Sequence, residues 1–327
     1  MRTDPSEPGS SVRRKGKSMS LSDKTKKWLR ADGDVSLAGK TVLVTGANSG
    51  VGFKTAQTAV YLGADVILAC RNTEKAAAAR DELLKDYPRA SVRVMRLDLA
   101  DLSSVDAFIA ELKETKTDIH AFVNNAGAFH HPGKKTADGF DLVIGTNYIG
   151  VWYLTERLLP YLETLPHEVM YVNTVSIIVK TAKPVDYEDF FCAKKPGSFA
   201  VYGRSKLCLA MVSHALAKRC EGCNVRVYMN HPGVAITPLG LNAFGKWAAR
   251  LAGMLRPLIN SPEKSALSLA YILSHDVPAG SLVGPHRVFD CVGYPAVNRI
   301  PRRATEGAKE LIRFTEHVIA EAKKQKE

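Results

Sequence analysis

From Lys40 onward, apolar residues alternate between short unbroken runs and longer stretches with helical spacing. Thr41–Thr45 reads Thr-Val-Leu-Val-Thr and predicts a strand buried on both faces. Glycines follow it, and then a helical segment over Phe53–Leu62. The same alternation predicts further strands at Asp65–Ala69, Val92–Leu97, Ala121–Asn124, Val169–Asn173, Asn224–Tyr228 and near Arg287–Phe289. Helices are predicted at Thr73–Asp86, at Ser103–Lys113 with Ser103 as its cap, at roughly 140–163, around Tyr202, at Pro262–Ser274 and at Ala304–Ala322. Repeated strand–helix units imply an α/β fold, a single-domain doubly wound parallel sheet with helices on both faces. In such sheets ligands lie beyond the carboxyl ends of the strands. No internal repeat of solenoid type is present.

Composition narrows the class. Of the 327 residues, 46% are hydrophobic and 24% charged, the balance of a soluble globular protein with ample core. No run of eighteen apolar residues predicts a transmembrane helix, and the N-terminus lacks the apolar core of a secretory signal. Six scattered cysteines suit a reducing compartment, so a cytoplasmic location is expected. Cys220 and Cys223 form a lone C-x-x-C without further ligands and read as a surface turn. The net charge of +12 is uneven, because residues 1–40 carry ten Lys/Arg against five Asp/Glu. That stretch is poor in large apolar residues, so disorder is expected to about residue 24 within a basic extension over 1–35. It is a solvated tail or an arm that touches anionic lipid; no recognition motif supports nucleic-acid binding.

Chemistry first enters between the first strand and the first helix. Gly46, Asn48, Ser49, Gly50, Val51 and Gly52 form a G-x-x-x-G-x-G turn that suits a dinucleotide pyrophosphate at a helix N-terminus. It is neither the strict G-x-G-x-x-G nor a P-loop. After the second strand, an acidic residue would select NAD through its ribose hydroxyls. The chain instead has Arg71 and Asn72. A guanidinium there grips a 2′-phosphate by charge and paired hydrogen bonds, so NADP(H) is expected. Asp98, followed by Leu99, is placed to reach the adenine.

Tyr202 and Lys206 stand four apart in a helical segment and share its face. An ammonium beside a phenol favours the phenolate, so the spacing predicts a tyrosine pKa lowered towards neutrality, as a general acid–base catalyst requires.

With these residues in place, the chain resembles the short-chain dehydrogenase/reductase family. The matching blocks, in order, are Thr45–Gly52, Asp98-Leu99, Asn124-Asn125-Ala126-Gly127, Asn147, Ser176, Tyr202-x-x-x-Lys206, and His231-Pro232-Gly233 with Thr237. They span residue 38 to about 295, within a domain taken as 36–300 and followed by a C-terminal amphipathic helix over 301–327. Ala69-Cys70-Arg71-Asn72, Thr136–Phe140 and the His-Pro-Gly turn resemble the retinol dehydrogenase branch.

The resemblance implies a Rossmann-type fold. It implies Tyr202 as the proton carrier, with Lys206 depressing its pKa and bonding the nicotinamide ribose. Ser176 would hold the carbonyl oxygen, with Thr174 as the rival hydroxyl two residues earlier, and Asn147 would anchor a water linked to Lys206. Asn125, Ala126 and Gly127 would wall the cofactor, with Pro232, Gly233 and Thr237 along the nicotinamide and phosphates. No metal is implied, and His130 and His131 read as substrate rim or exposed residues. A homodimer through the helices bearing Asn147 and Tyr202 is implied as well.

Two segments are candidates for covering the substrate. Over 240–259, Leu241, Phe244, Trp247, Ala248, Leu251, Met254, Leu255 and Leu258 form an apolar helical stripe, which is a lid, an interfacial membrane helix or a core helix. Lys183–Phe199 adds Tyr187, Phe190, Phe191 and Phe199. The expectation is an oxidoreductase moving a hydride between NADP(H) and a small apolar alcohol, aldehyde or ketone, retinoid-, steroid- or lipid-like. The alternative is a non-catalytic NADP(H)-binding regulator or scaffold of the same fold.

Overall fold

The computed structural model describes residues 20–31, 35–129, 133–194, 197–233 and 260–326. Eight strands form one sheet: β1 (Thr41–Thr45), β2 (Asp65–Cys70), β3 (Val92–Arg96), β4 (Ala121–Asn124), β5 (Val169–Thr174), β6 (Val225–Asn230), β7 (Leu282–Arg287) and β8 (Val292–Asn298). Their order is β3-β2-β1-β4-β5-β6-β7-β8, with every pairing parallel except β7–β8. Successive residues of a strand face opposite sides, and the two cores follow that period. Val42 and Val44 pack with α2 (Gly50–Tyr61), α3 (Thr73–Asp86) and α8 (Pro262–Ser274). Leu43 packs on the other face with α4 (Leu102–Glu114), α6 (Gly150–Leu162) and α7 (Ser198–Arg219). With both faces covered, the strands have no polar side to show, which is why they read as unbroken apolar runs.

The helix expected at roughly 140–163 is built from α5 (Leu142–Ile144), a π-helical stretch at Gly145–Ile149, and α6. The last helix, α9 (Ala308–Lys324), lays Leu311, Ile319 and Ala322 into the same core as α6 and α7.

Three sequence expectations change. Within the basic extension over 1–35, expected to be disordered to about residue 24 and largely so overall, Asp23–Ala31 forms helix α1. Trp28 stacks on Tyr294 at 5.7 Å between centroids, Leu21 and Leu29 pack with Leu267 and Ala270, and the backbone N–H and hydroxyl of Ser22 donate to Glu263. A few apolar residues suffice once α8 offers a surface. Helix α4 is capped by Asp101, not Ser103: the Asp101 carboxylate accepts from the Ser103 N–H and hydroxyl. The strand expected near Arg287–Phe289 is the end of β7 and a turn, beyond which β8 returns antiparallel. Val288, Phe289 and Asp290 all have positive φ there, a conformation that favours glycine and leaves this turn without its usual sequence signal. The turn is held by the Cys291 N–H on the Val288 carbonyl (3.0 Å) and by an ion pair between Asp290 and Lys180. No helix among the described residues is long and apolar enough to cross a membrane.

Candidate active site

The carboxyl ends of β1, β4, β5 and β6 bring most of the expected site residues together. At β1, Gly46 takes φ +65° and Gly50 φ +60°, turning the chain into α2. The turn is closely covered. A Cβ on Gly46 would come within 2.9 Å of the Ala126 backbone, and one on Gly52 within 2.6 Å of the Gly46 carbonyl and against the Asn125 amide. Asn125 in turn donates to the Thr45 carbonyl (2.9 Å), while the Thr45 hydroxyl accepts from the Asn125 and Ala126 N–H groups (3.0 and 2.9 Å). The β1 turn and the Asn124–Gly127 turn thus form one rigid unit. Ser49 precedes α2 without a side-chain cap, so the first N–H groups of the helix have no side-chain acceptor from the cap position. Uncapped N–H groups behind glycines fit an anionic pyrophosphate.

Arg71 lies exposed one residue beyond β2. Its neighbour Asn72 caps α3, accepting from the Lys75 N–H at 2.7 Å. Asp98 accepts from the Ala100 N–H at 3.0 Å. Leu99 is buried, and its carbonyl abuts Gly150 at the start of α6.

Deeper in, Asn147 is fully buried in the π-helical stretch. Its Oδ1 accepts from the Ala128 N–H (2.6 Å), and its Nδ2 donates to the Ala128 carbonyl (2.9 Å) and the Ser205 hydroxyl (3.0 Å). The Ser205 hydroxyl itself donates to the Tyr202 carbonyl at 2.8 Å. A Cβ on Gly127 would lie 3.2 Å from Asn147 Oδ1 and 3.7 Å from Lys206 Nζ. A side chain at Gly127 would press on Asn147 and stand in contact with Lys206. The side chain of Asn147 is therefore committed to Ala128 and Ser205, not to Lys206 itself.

Ser176 follows β5 and caps the short 3-10 turn Ile177–Lys180. Its hydroxyl faces the Tyr202 phenol. Burial raises the Tyr202 pKa, and the Ser176 hydroxyl pulls it down in part. This reverses the lowering expected from Lys206. The Lys206 ammonium, only 4% exposed, donates to the Thr174 carbonyl at 2.7 Å, and burial pushes its pKa down to about 8. A shared helix face brings the two side chains close, but the polar end of β5 captures the amine. The phenyl ring of Phe129 sits 4.9 Å from the Tyr202 ring and 5.2 Å from that of Phe199, which is itself 53% exposed.

Pro232 and Gly233 follow β6, with Gly233 at φ +73° beneath Cys291, Pro285 and Asn260. The preceding His231 is buried against Gly284, and Asn298 donates to its Nε2 at 2.9 Å. Its Nδ1 has no partner among the described residues, and burial lowers its pKa to about 4. Thr237, His130, His131 and the 240–259 segment lie outside the described residues.

Sequence reasoning missed the parts played by Ser205 and Phe129. No motif marks them, because their parts are set by which strand and helix ends meet. It also missed Asp118, His120 and His167 at the opposite, amino-terminal end of the central strands, beside the first residue of β1. There the two imidazoles stack at 3.9 Å and His167 bonds Asp118 at 2.5 Å, away from the glycine turn.

The model of the short chain dehydrogenase family matches residues 40–245. The chain belongs to that family, and is an oxidoreductase with its Rossmann-type fold. It is 34% identical over 243 residues to human retinol dehydrogenase 13, covering 72% of each chain. It belongs to the retinol dehydrogenase-like branch of the family. Among solved structures, an uncharacterised protein from Mycobacterium paratuberculosis is 30% identical with a TM-score of 0.68, covering 86% of this chain and 94% of that one. L-sorbose reductase from Gluconobacter frateurii, complexed with NADPH and L-sorbose, shares the fold at 21% identity and a TM-score of 0.61, over 76% and 95% of the two chains.

Proposed function

We propose that this oxidoreductase interconverts an alcohol and a carbonyl with NADP(H), on an apolar substrate of retinoid-, steroid- or lipid-like type. The observation that carries the reading is the meeting of Ser176, the half-buried Tyr202 and the buried Lys206 ammonium at the carboxyl end of β5. A carbonyl oxygen lying between the two hydroxyls would accept from both, with Tyr202 giving the proton as charge develops and Ser176 stabilising that charge. In the oxidative direction Tyr202 takes the proton back.

NADP(H) supplies or accepts the hydride. The residues that would hold it are the Gly46–Gly52 turn with Asn48, Ser49 and Val51 at the pyrophosphate, Arg71 and Asn72 at the 2′-phosphate, and Asp98-Leu99 at the adenine. Asn125, Ala126 and Gly127, with Pro232, Gly233 and Thr237, would wall the nicotinamide half. Arg71, exposed and without an ion pair among the described residues, supports the phosphorylated cofactor, and the sorbose reductase that shares this fold binds NADPH.

Lys206 is the charge that Tyr202 needs nearby. A cation pushed down to about 8 is held at a cost and is ready to donate to a ribose hydroxyl in exchange for Thr174. Asn147 holds the Gly127–Ala128 turn and Ser205 in register around it. Phe129 against Tyr202, with Phe199 against Phe129, makes the rim apolar, which supports an apolar substrate.

NADPH consumption across retinoid, steroid, fatty aldehyde and quinone carbonyls tests this reading, with Tyr202→Phe as control. Carbonyl-dependent turnover should fall by at least about 10²-fold in the variant. Equal turnover in both would refute the role of Tyr202, while tight NADPH binding with no turnover on any carbonyl would favour a regulatory protein.

A further inference from the structure

The helices that carry Asn147 and Tyr202 leave almost no surface in water. Between Val201 and Ala217 no residue of α7 is exposed, and on α6 only Arg157 and Pro160 are. A helix flanking a sheet ordinarily keeps one polar face in solvent, so something covers these two. It is α9.

Leu311, Thr315, Ile319 and Ala322 form its buried stripe, spaced so that they fall on one side of the helix. The ring of Phe314 packs at 4.7 Å from Phe190 and 5.2 Å from Tyr187. Polar ties run along its length. The Thr315 and Tyr148 hydroxyls, both buried, are 2.6 Å apart. The Lys323 ammonium donates to the Tyr153 hydroxyl at 2.6 Å, and Lys326 pairs with Asp138 at 2.6 Å. The outward positions Lys309, Glu310, Arg313, Glu316 and Glu321 are exposed and of mixed sign. Charges of this kind are depleted from the cores of protein interfaces.

We infer that α9 occupies, within one chain, the α6–α7 face through which a second copy would otherwise dock, so the chain does not pair through these helices. A homodimer on that surface, which the family resemblance implies, would require α9 to leave and would break the Thr315–Tyr148 and Lys323–Tyr153 bonds. The cover also reaches the candidate site, because Tyr148 directly follows Asn147 in the π-helical stretch. The inference stands on packing and does not depend on the proposed activity.

Disulfide trapping of the full chain tests it, in a Cys223→Ser background that removes the exposed native thiol. A probe cysteine at Arg157→Cys sits on the remaining exposed strip of α6, and sedimentation velocity is run in parallel. Species that Arg157→Cys does not trap, whether monomer or dimer, support the inference. A full-chain dimer trapped efficiently by Arg157→Cys overturns it. A chain lacking residues 308–327 should self-associate at least about tenfold more tightly and become trappable, because an apolar helical face is then bare. A truncated chain that stays folded and monomeric would also count against the inference. Should truncation unfold the protein, Leu311→Asp undocks α9 without shortening the chain, and the full-chain trapping decides by itself.

Discussion

Lys206 Nζ lies 2.7 Å from the carbonyl oxygen of Thr174, buried at the end of β5. That single acceptor does not replace the water an ammonium loses, so its pKa drops from 10.5 to about 8. The site therefore stores a desolvated cation beside the residue that would move the proton.

The sign of the linkage follows. Between pH 8 and 10.5 the unfolded chain binds this proton and the native chain does not, so this group adds stability as pH rises through that window. Below pH 8 it costs about 3 kcal/mol. Lys206→Met should be more stable than the parent at neutral pH by about 2 kcal/mol, since the Thr174 carbonyl gives back part of the gain by losing its donor. The advantage should shrink towards pH 10.5, and NADPH turnover should vanish throughout. Urea unfolding of both proteins across that range measures it, and equal midpoints at neutral pH would contradict the assignment.

The Ser176 hydroxyl lowers the pKa of Tyr202 against the upward push of burial. Ser176→Ala should move the Tyr202 limb of the pH–rate profile for alcohol oxidation to higher pH. It should also reduce kcat by about 10²-fold, the usual cost of one lost donor to a developing oxyanion. Retention of the parent limb would place the limiting ionisation elsewhere.

His231 makes the opposite end of the pH range informative. Its neutral ring is held at about 4 against an ordinary 6.5. As pH falls from 6.5 to 4 the unfolded chain gains this proton first, and about 3 kcal/mol of stability is lost. His231→Gln keeps an acceptor for Asn298 but does not titrate, so its stability should fall less over the same window. Parallel acid-unfolding curves for the two proteins would exclude His231 as the cause.

Gly52 and Arg71 separate binding of the dinucleotide from choice of dinucleotide. A methyl at Gly52 meets the Gly46 carbonyl at 2.6 Å, a backbone atom that cannot move without opening the turn. Gly52→Ala should weaken NADPH and NADH binding alike, by at least about tenfold, and cost roughly 1–3 kcal/mol of stability. Arg71→Asp should leave stability unchanged and shift preference from NADPH towards NADH. Fluorescence titration with both cofactors distinguishes the two effects. A Gly52→Ala variant that binds normally would place the pyrophosphate elsewhere.

Much of this molecule was legible in the sequence because it is local. Strand runs, the glycine turn, the Asn-Asn-Ala-Gly turn and the Tyr202–Lys206 spacing each need only neighbours a few residues away. Their order along the chain was enough to place the family and the sheet. What escaped depends on partners distant in sequence. The Trp28 helix forms because α8 and Tyr294 offer it a surface, and the β7–β8 hairpin turns through three left-handed residues because Lys180, 110 positions earlier, pairs with Asp290.

The sequence alone named most of the residues that the candidate site brings together, since the chemistry needs particular side chains at helical and turn spacings. Only the tertiary structure decided how they are charged and what surrounds them. Burial moves the Tyr202 pKa up where spacing predicted down, and Thr174 takes the Lys206 ammonium because the end of β5 presents a carbonyl within reach. The fate of the α6–α7 face was likewise decided by packing. An amphipathic pattern says that a helix must bury one side, and it does not say whether its own chain or another molecule will cover it.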